Sequence, residues 1–173
     1  MTTNPKNSES QNKWIQLALA HEEAENHPDT MTMTPKSNTP QNTGLLPPQP
    51  PSTKNFSNLE LRCSCCGENK MNESFLVRLQ EIRDIFGVPM MLSSAYRCPA
   101  WNARQSKTGA NGPHTSGRAV DVLVSGNDAL RLIRIALEHG ITGVGVSQKG
   151  EYPARFLHID DLTDGIRPHT WSY

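Results

Sequence analysis

The sequence predicts an α+β domain behind a polar tail, and three observations predict it. Aromatic residues and cysteines are concentrated after residue 54. Two segments there carry helical periodicity. Four short apolar runs, two between them and two after the second, are bounded by Gly, Pro and polar residues, as strands are. The chain has 173 residues, 17 Lys and Arg against 17 Asp and Glu, and 35% hydrophobic residues. Residues 1–54 hold 8 of the 13 prolines and one aromatic, Trp14; residues 55–173 hold the other 9 aromatics and all 4 cysteines.

In chain order, residues 1–12 are polar and read as disordered. Residues 13–26 fit a short helix with Trp14, Leu17, Ala18 and Ala24 to one side, too short to be stable alone. Residues 27–54 read as a linker whose prolines, ending in Pro47-Pro48-Gln49-Pro50-Pro51, favour extended backbone. The folded domain is expected over 55–173. Its clearest helix is 73–86: Phe75, Leu79, Ile82 and Phe86 share one face, Asn72 suits the N-cap, and Gly87 with Pro89 stops it. Val88–Ser94 reads as a strand. A second helix fits 127–139, capped by Asn127 and ended by Gly140, with Leu130, Ile133, Ala136 and Leu137 inward. The remaining strands are 119–124, 141–147 and 155–160.

Several function classes drop out. No apolar run approaches the roughly 18–20 residues of a membrane helix, so no membrane insertion is expected. Balanced charge argues against a nucleic-acid binder. The segment Trp14–Ala20 is short, contains Gln16 and runs into His21-Glu22-Glu23, unlike a secretory signal. Synthesis in the cytoplasm without Sec export is the expectation. Of the four cysteines, Cys63 and Cys66 have C-x-x-C spacing and only Cys98 lies outside the cluster. Small buried residues, a disulfide from the 63–66 turn to Cys98, and a metal knuckle all fit that pattern.

The chemistry concentrates in two segments. In Pro113-His114-Thr115-Ser116-Gly117-Arg118-Ala119-Val120-Asp121, His114 and Asp121 are seven residues apart. Fully extended, that is roughly 23–25 Å, too far to share one ion at about 2 Å. A reversal at Thr115-Ser116-Gly117 brings them together. Asp121 stands between Val120 and Val122 in an apolar strand, where a carboxylate is costly unless paired or metal-bound. In Phe156-Leu157-His158-Ile159-Asp160, strand alternation puts His158 and Asp160 on one face. Two His and one Asp make the three-ligand set of a catalytic zinc site, with a fourth position left for water or substrate.

His114-x-x-Gly117-x-Ala119-x-Asp121, followed by His158-x-Asp160, resembles the D-Ala-D-Ala carboxypeptidase family of zinc peptidases, within the group that includes L-alanyl-D-glutamate endopeptidases, lysostaphin-type enzymes and hedgehog domains. Asn55-Phe56-Ser57-x-x-Glu60-Leu61, the 73–86 helix and Ser93-Ser94-Ala95-Tyr96-Arg97-Cys98-x-x-x-Asn102 extend the likeness over roughly 55–165. The resemblance implies one Zn2+ held by His114, Asp121 and His158, a small antiparallel sheet with packed helices, and cleavage of peptidoglycan stem-peptide bonds. It implies that Arg97 binds a substrate carboxylate or steadies the oxyanion, and a guanidinium fork suits that work. Tyr96, beside it after the strand, is expected at the pocket rim, binding substrate.

The pattern also departs from the family. Relatives place a Glu base three residues before the last zinc His, or a His two residues before it; here those positions are Arg155 and Phe156. Asp160 is then the first candidate for the base, because it shares a face with His158, with orientation of His158 as its alternative role. Glu151 is a second candidate. His139 sits where a cation suits a helix C-terminus, and His169 is expected to pack near the end of the chain with Trp171 and Tyr173. Two function classes follow. One is a peptidoglycan peptidase, of carboxypeptidase or endopeptidase type, for phage or prophage lysis or cell penetration, acting at the wall after release or from a virion. The other is a zinc-bearing binding or structural module such as a virion component. The tail suits tethering or docking to a partner in either.

Overall fold

A computed structural model describes residues 51–173; the expected tail, including the helix at 13–26, lies outside the described residues up to residue 50. The fold starts at the buried Phe56. Ser57 and Glu60 then form a reciprocal capping box around α1 (Asn58–Leu61), in which Ser57 N donates to Glu60 Oε2 at 3.0 Å. Helix α2 (Glu73–Phe86) has the bounds its periodicity predicts. Asn72 Oδ1 accepts from Phe75 N at 3.2 Å, a cap worth about 1 kcal/mol. Gly87 closes the helix in the left-handed conformation. Phe75, Leu76, Leu79, Ile82 and Phe86 form its buried face.

Strand β1 (Met91–Ser94) begins later than expected; Pro89 lacks an N–H and cannot donate to a ladder. It leads through Ala95–Cys98 into α3 (Pro99–Gln105), a helix the apolar periodicity does not reveal. The signal for it is Pro99 at the first helical position, where its fixed φ suits the turn. Asn102, buried in α3, donates to Gly109 O at 2.7 Å and Thr108 Oγ1 at 3.1 Å. This ties the loop that leads to His114 to the helix.

β2 (Ala119–Leu123), α4 (Gly126–Glu138), β3 (Gly143–Ser147), a 3-10 turn at Tyr152–Ala154, β4 (Phe156–Asp160) and β5 (His169–Ser172) complete the chain. The sheet order is β1-β2-β4-β3-β5. The first four strands pair antiparallel. β5 was not foreseen, and it joins β3 in parallel, so the sheet is mixed. Val120, Val122, Val144, Leu157 and Ile159 point to the face covered by α2 and α4. Alternation sends Asp121, His158, Asp160, Gly143 and Gly145 to the other face.

The inward face of α4 differs from expectation. Ala129, Leu132, Ile135 and Ala136 are buried, whereas Leu130 and Leu137 are 69% and 53% exposed. The helix is apolar on more than one side, so spacing alone cannot choose the stripe; packing against α2 and the sheet chooses it. Its N-cap is Ser125, and Asn127 lies inside. The four cysteines are free thiols, and only Cys63 is buried, which sets aside both the disulfide and the reading as a buried set. Among the described residues, no helix is long and apolar enough to cross a membrane.

Candidate metal centre

The register of the two central strands builds the site. Asp121 in β2 lies directly opposite His158 in β4, which sets their side chains about 5 Å apart at Cβ on one face. His158 Nδ1 stands 2.9 Å from Asp121 Oδ1. His114 arrives from the preceding loop, and Gly117 makes its approach possible. Gly117 has φ +69°, and a Cβ there would run into the Lys70 carbonyl. The Gly117 carbonyl also accepts from Asn72 N at 2.9 Å, fixing the reversal to the start of α2.

His114 Nε2 then lies 3.2 Å from His158 Nδ1 and 3.3 Å from Asp121 Oδ1. Donor atoms about 2.0 Å from a tetrahedral ion stand about 3.3 Å from one another. The triangle of 2.9, 3.2 and 3.3 Å therefore has the size of one face of such a coordination sphere. All three residues are buried.

Each ligand atom is aimed by a partner on the far side of its side chain. His114 Nδ1 donates to Ala95 O at 2.7 Å, which leaves Nε2 with its lone pair toward the centre. His158 Nε2 donates to Asp160 Oδ2 at 3.1 Å, which leaves Nδ1 with its lone pair toward the centre. Asp160 is itself gripped by Arg167, Nε to Oδ1 at 2.9 Å and Nη2 to Oδ2 at 2.6 Å, and accepts from Leu162 N. Asp121 turns its second oxygen to Arg97 Nη2 at 2.5 Å, and Arg97 Nε donates to Ser94 Oγ at 2.7 Å. Arg118 instead pairs with the buried Asp161, as does Arg78.

The electrostatics favour positive charge at the centre. Burial opposes ionisation of Asp121, but the two imidazoles outweigh it and hold the carboxyl well below the usual range. Burial also opposes a charged His158, and Asp121 and Asp160 outweigh it, so its basicity is raised. At His114 burial prevails over Asp121 and basicity is lowered. Asp160 is held down to about 2 against its burial, by His158 and Arg167. A carboxylate and two imidazole lone pairs converging out of water form a set that a divalent cation satisfies.

The structure thus brings together His114, Asp121, His158, Asp160 and Arg97. It does not place Tyr96 at a rim. Tyr96 is 4% exposed and packs in the core. Asp160 lies at the Nε2 edge of the His158 ring, away from the nitrogen that faces Asp121, so sharing a strand face does not put it beside the converging donors. Arg155 turns away to Gly150 O and stacks over Tyr152 at 3.9 Å. Glu151 is exposed just before that turn. Trp101 is half-buried against the core.

Two contributors went unread in the sequence, Arg167 and the placement of Trp171. The Trp171 ring lies 5.2 Å from that of His158 and within 5.1 Å of the Arg167 guanidinium. Tyr173 packs 5.0 Å from Phe156. A signal for this crowding was present: Gly143 and Gly145 alternate along β3, and such glycines mark a face that neighbours approach closely. A Cβ at Gly145 would come within 2.8 Å of the Trp171 indole, and one at Gly143 would strike Asp160 and Arg167.

A family model described as Peptidase M15 matches residues 54–160. A search of curated proteins finds no match to the chain. Arg167 and Trp171 lie beyond the matched segment. That segment carries all three converging donors and both strands whose register aligns them, and it covers more than half of the sequence: the chain belongs to the peptidase M15 family.

Proposed function

We propose that this protein is a zinc-dependent peptidase that hydrolyses peptide bonds in peptidoglycan stem peptides. The observation that carries the reading is the triangle of His114 Nε2, Asp121 Oδ1 and His158 Nδ1, sized for one face of a tetrahedral ion. A zinc ion held there supplies Lewis acidity: it polarises a scissile carbonyl and lowers the pKa of water.

The chain's own groups set the geometry. Ala95 O and Asp160 fix the tautomers of the two imidazoles. Arg97 holds the outer oxygen of Asp121, and a guanidinium at that point suits a substrate carboxylate or an oxyanion. Asp160 acts as a positioning residue, since Arg167 and His158 occupy its oxygens. Trp171 and Tyr173, next to His158 and Phe156, offer aromatic surface for the peptide. A lysis or cell-penetration enzyme of phage origin, acting at the wall after release or from a virion, fits this chemistry, with the tail as a tether.

One observation favours a second reading, a zinc-bearing module with little hydrolytic power. Arg155 and Phe156 stand where relatives carry the base, and Asp160 faces away from the metal position. The test is incubation of purified protein with peptidoglycan, with mass analysis of the muropeptides. New amino groups released by wild type and lost in His158→Ala support the peptidase. Stoichiometric zinc at the His114–Asp121–His158 site with no release of amino groups supports the module.

A further inference from the structure

A second cluster of metal-ligating side chains lies outside the site described above. The ligand atoms of Cys63, Cys66 and Cys98 lie within 4.8 Å of one another. Sulfurs bound to tetrahedral zinc at about 2.3 Å stand about 3.8 Å apart. Closing the cluster onto an ion therefore requires shifts of about 1 Å or less. Cys65, adjacent to Cys66 in the same exposed turn, brings a fourth thiol to that segment.

The local backbone is shaped around Cys63. Cys63 N donates to Glu68 O at 2.7 Å, and Gly67 N donates to Cys63 O at 2.9 Å, closing a tight turn over the C-x-x-C segment. Cys98 N points at Cys63 Sγ at 3.3 Å. A backbone donor aimed at that sulfur suits a thiolate, the form that binds metal. Cys98 occupies the N-cap of α3, yet its side chain makes no capping hydrogen bond and belongs to the cluster instead. Burial as small apolar residues accounts for Cys63 alone, because Cys65 and Cys66 are exposed and Cys98 is only partly covered.

We propose that Cys63, Cys66 and Cys98, with Cys65 as fourth donor, hold a second, structural metal ion of the thiolate-preferring class, zinc foremost. The ion clamps the loop after α1 to the start of α3. Tyr96 N to Leu61 O, at 3.2 Å, is the neighbouring tie across the same seam. Arg97, which holds Asp121, directly precedes Cys98, so the clamp also fixes the segment that presents its guanidinium. Soft thiolates select zinc over magnesium or calcium. This proposal does not depend on the His114–Asp121–His158 reading.

The test uses the full chain, purified under reducing conditions and loaded with zinc or with cobalt. Expected are two equivalents of zinc in wild type and one in His158→Ala. Expected too is an intense near-ultraviolet thiolate-to-cobalt absorption that His158→Ala retains and Cys66→Ser loses. Cys66 is exposed in a turn, so its substitution spares the core, and the cobalt spectra of wild type and His158→Ala need no cysteine variant. A single equivalent that disappears in His158→Ala, with no thiolate-to-cobalt band, overturns the proposal. So does titration of only two free thiols in the denatured, metal-stripped chain prepared in parallel without reductant, which would mean a disulfide. A single equivalent that survives His158→Ala together with the band upholds the cysteine site and removes the histidine one.

Discussion

Replacement of Asp160 by Asn separates positioning from proton transfer. Its carboxylate is fully buried and receives His158 Nε2 at 3.1 Å, Arg167 Nε at 2.9 Å, Arg167 Nη2 at 2.6 Å and Leu162 N at 3.3 Å. Every one of these partners is a donor. An amide has one acceptor oxygen, so its NH2 must face a donor at one of the two positions. With the NH2 toward His158, the ring loses the partner that fixes its tautomer. Loss of such a partner costs about 10–100-fold in metal affinity, or about 1.4–2.7 kcal/mol. The charge-assisted bonds to Arg167 are weakened as well, at about 1.5–3 kcal/mol of stability each. The assay is zinc affinity by competition with a chromophoric chelator, followed by kcat on a stem peptide at saturating zinc. Asp160→Asn is expected to weaken zinc by that factor and to recover most of its kcat when zinc is saturating. A general base would show the opposite pattern, a kcat loss of about 10²–10⁴ at unchanged zinc affinity. That result would refute the positioning role.

Three further outcomes are expected. The Asp160 carboxyl falls from its ordinary 3.8 to about 2, so its contribution to stability, about 2 kcal/mol, is complete above pH 4. It is lost as pH falls through about 2; acid unfolding followed by circular dichroism should show this, with a shallower slope in Arg167→Met. Asp161→Asn strips the shared carboxylate from Arg78 and Arg118, at 2.6 and 2.8 Å, and should cost about 3 kcal/mol in urea unfolding; a change below about 0.5 kcal/mol would mean the two arginines are solvated instead. Gly145→Ala puts a methyl within 2.8 Å of the Trp171 indole and should cost about 1–3 kcal/mol in thermal unfolding, while Ser147→Ala, at a half-buried position further along the same strand, should not.

The legible parts of this fold are those where one local pattern has one physical solution. Helix α2 carries a single apolar stripe between a capping Asn72 and a left-handed Gly87, and its bounds follow. The strands at 119–124 and 155–160 each contain charged or polar residues in alternation with buried aliphatics, and their bounds differ from the observed ones by a single residue. Helix α4 is apolar on two sides, and there the sequence leaves the choice to tertiary packing. β5 is short and mostly exposed, with one half-buried position at Trp171, so alternation along it carried little signal.

The site divides along the same line. The family pattern singles out His114, Asp121 and His158, and the strand period adds weight to Asp121 and His158, polar groups among strand aliphatics where isolation is costly. What the period cannot give is direction about a ring. His158 and Asp160 share a face whether the carboxylate lies beside the converging donors or behind the imidazole, and only the cross-strand pairing decides. Asp121 sits opposite His158 and claims its Nδ1 edge at 2.9 Å. Asp160, opposite Ala119 on one side and Gly143 on the other, is left with Nε2, and Arg167 fills the space that Gly143 leaves open. The same register that assembles the three donors therefore turns Asp160 away from them, and the absence of a Glu at position 155 gains weight from that geometry.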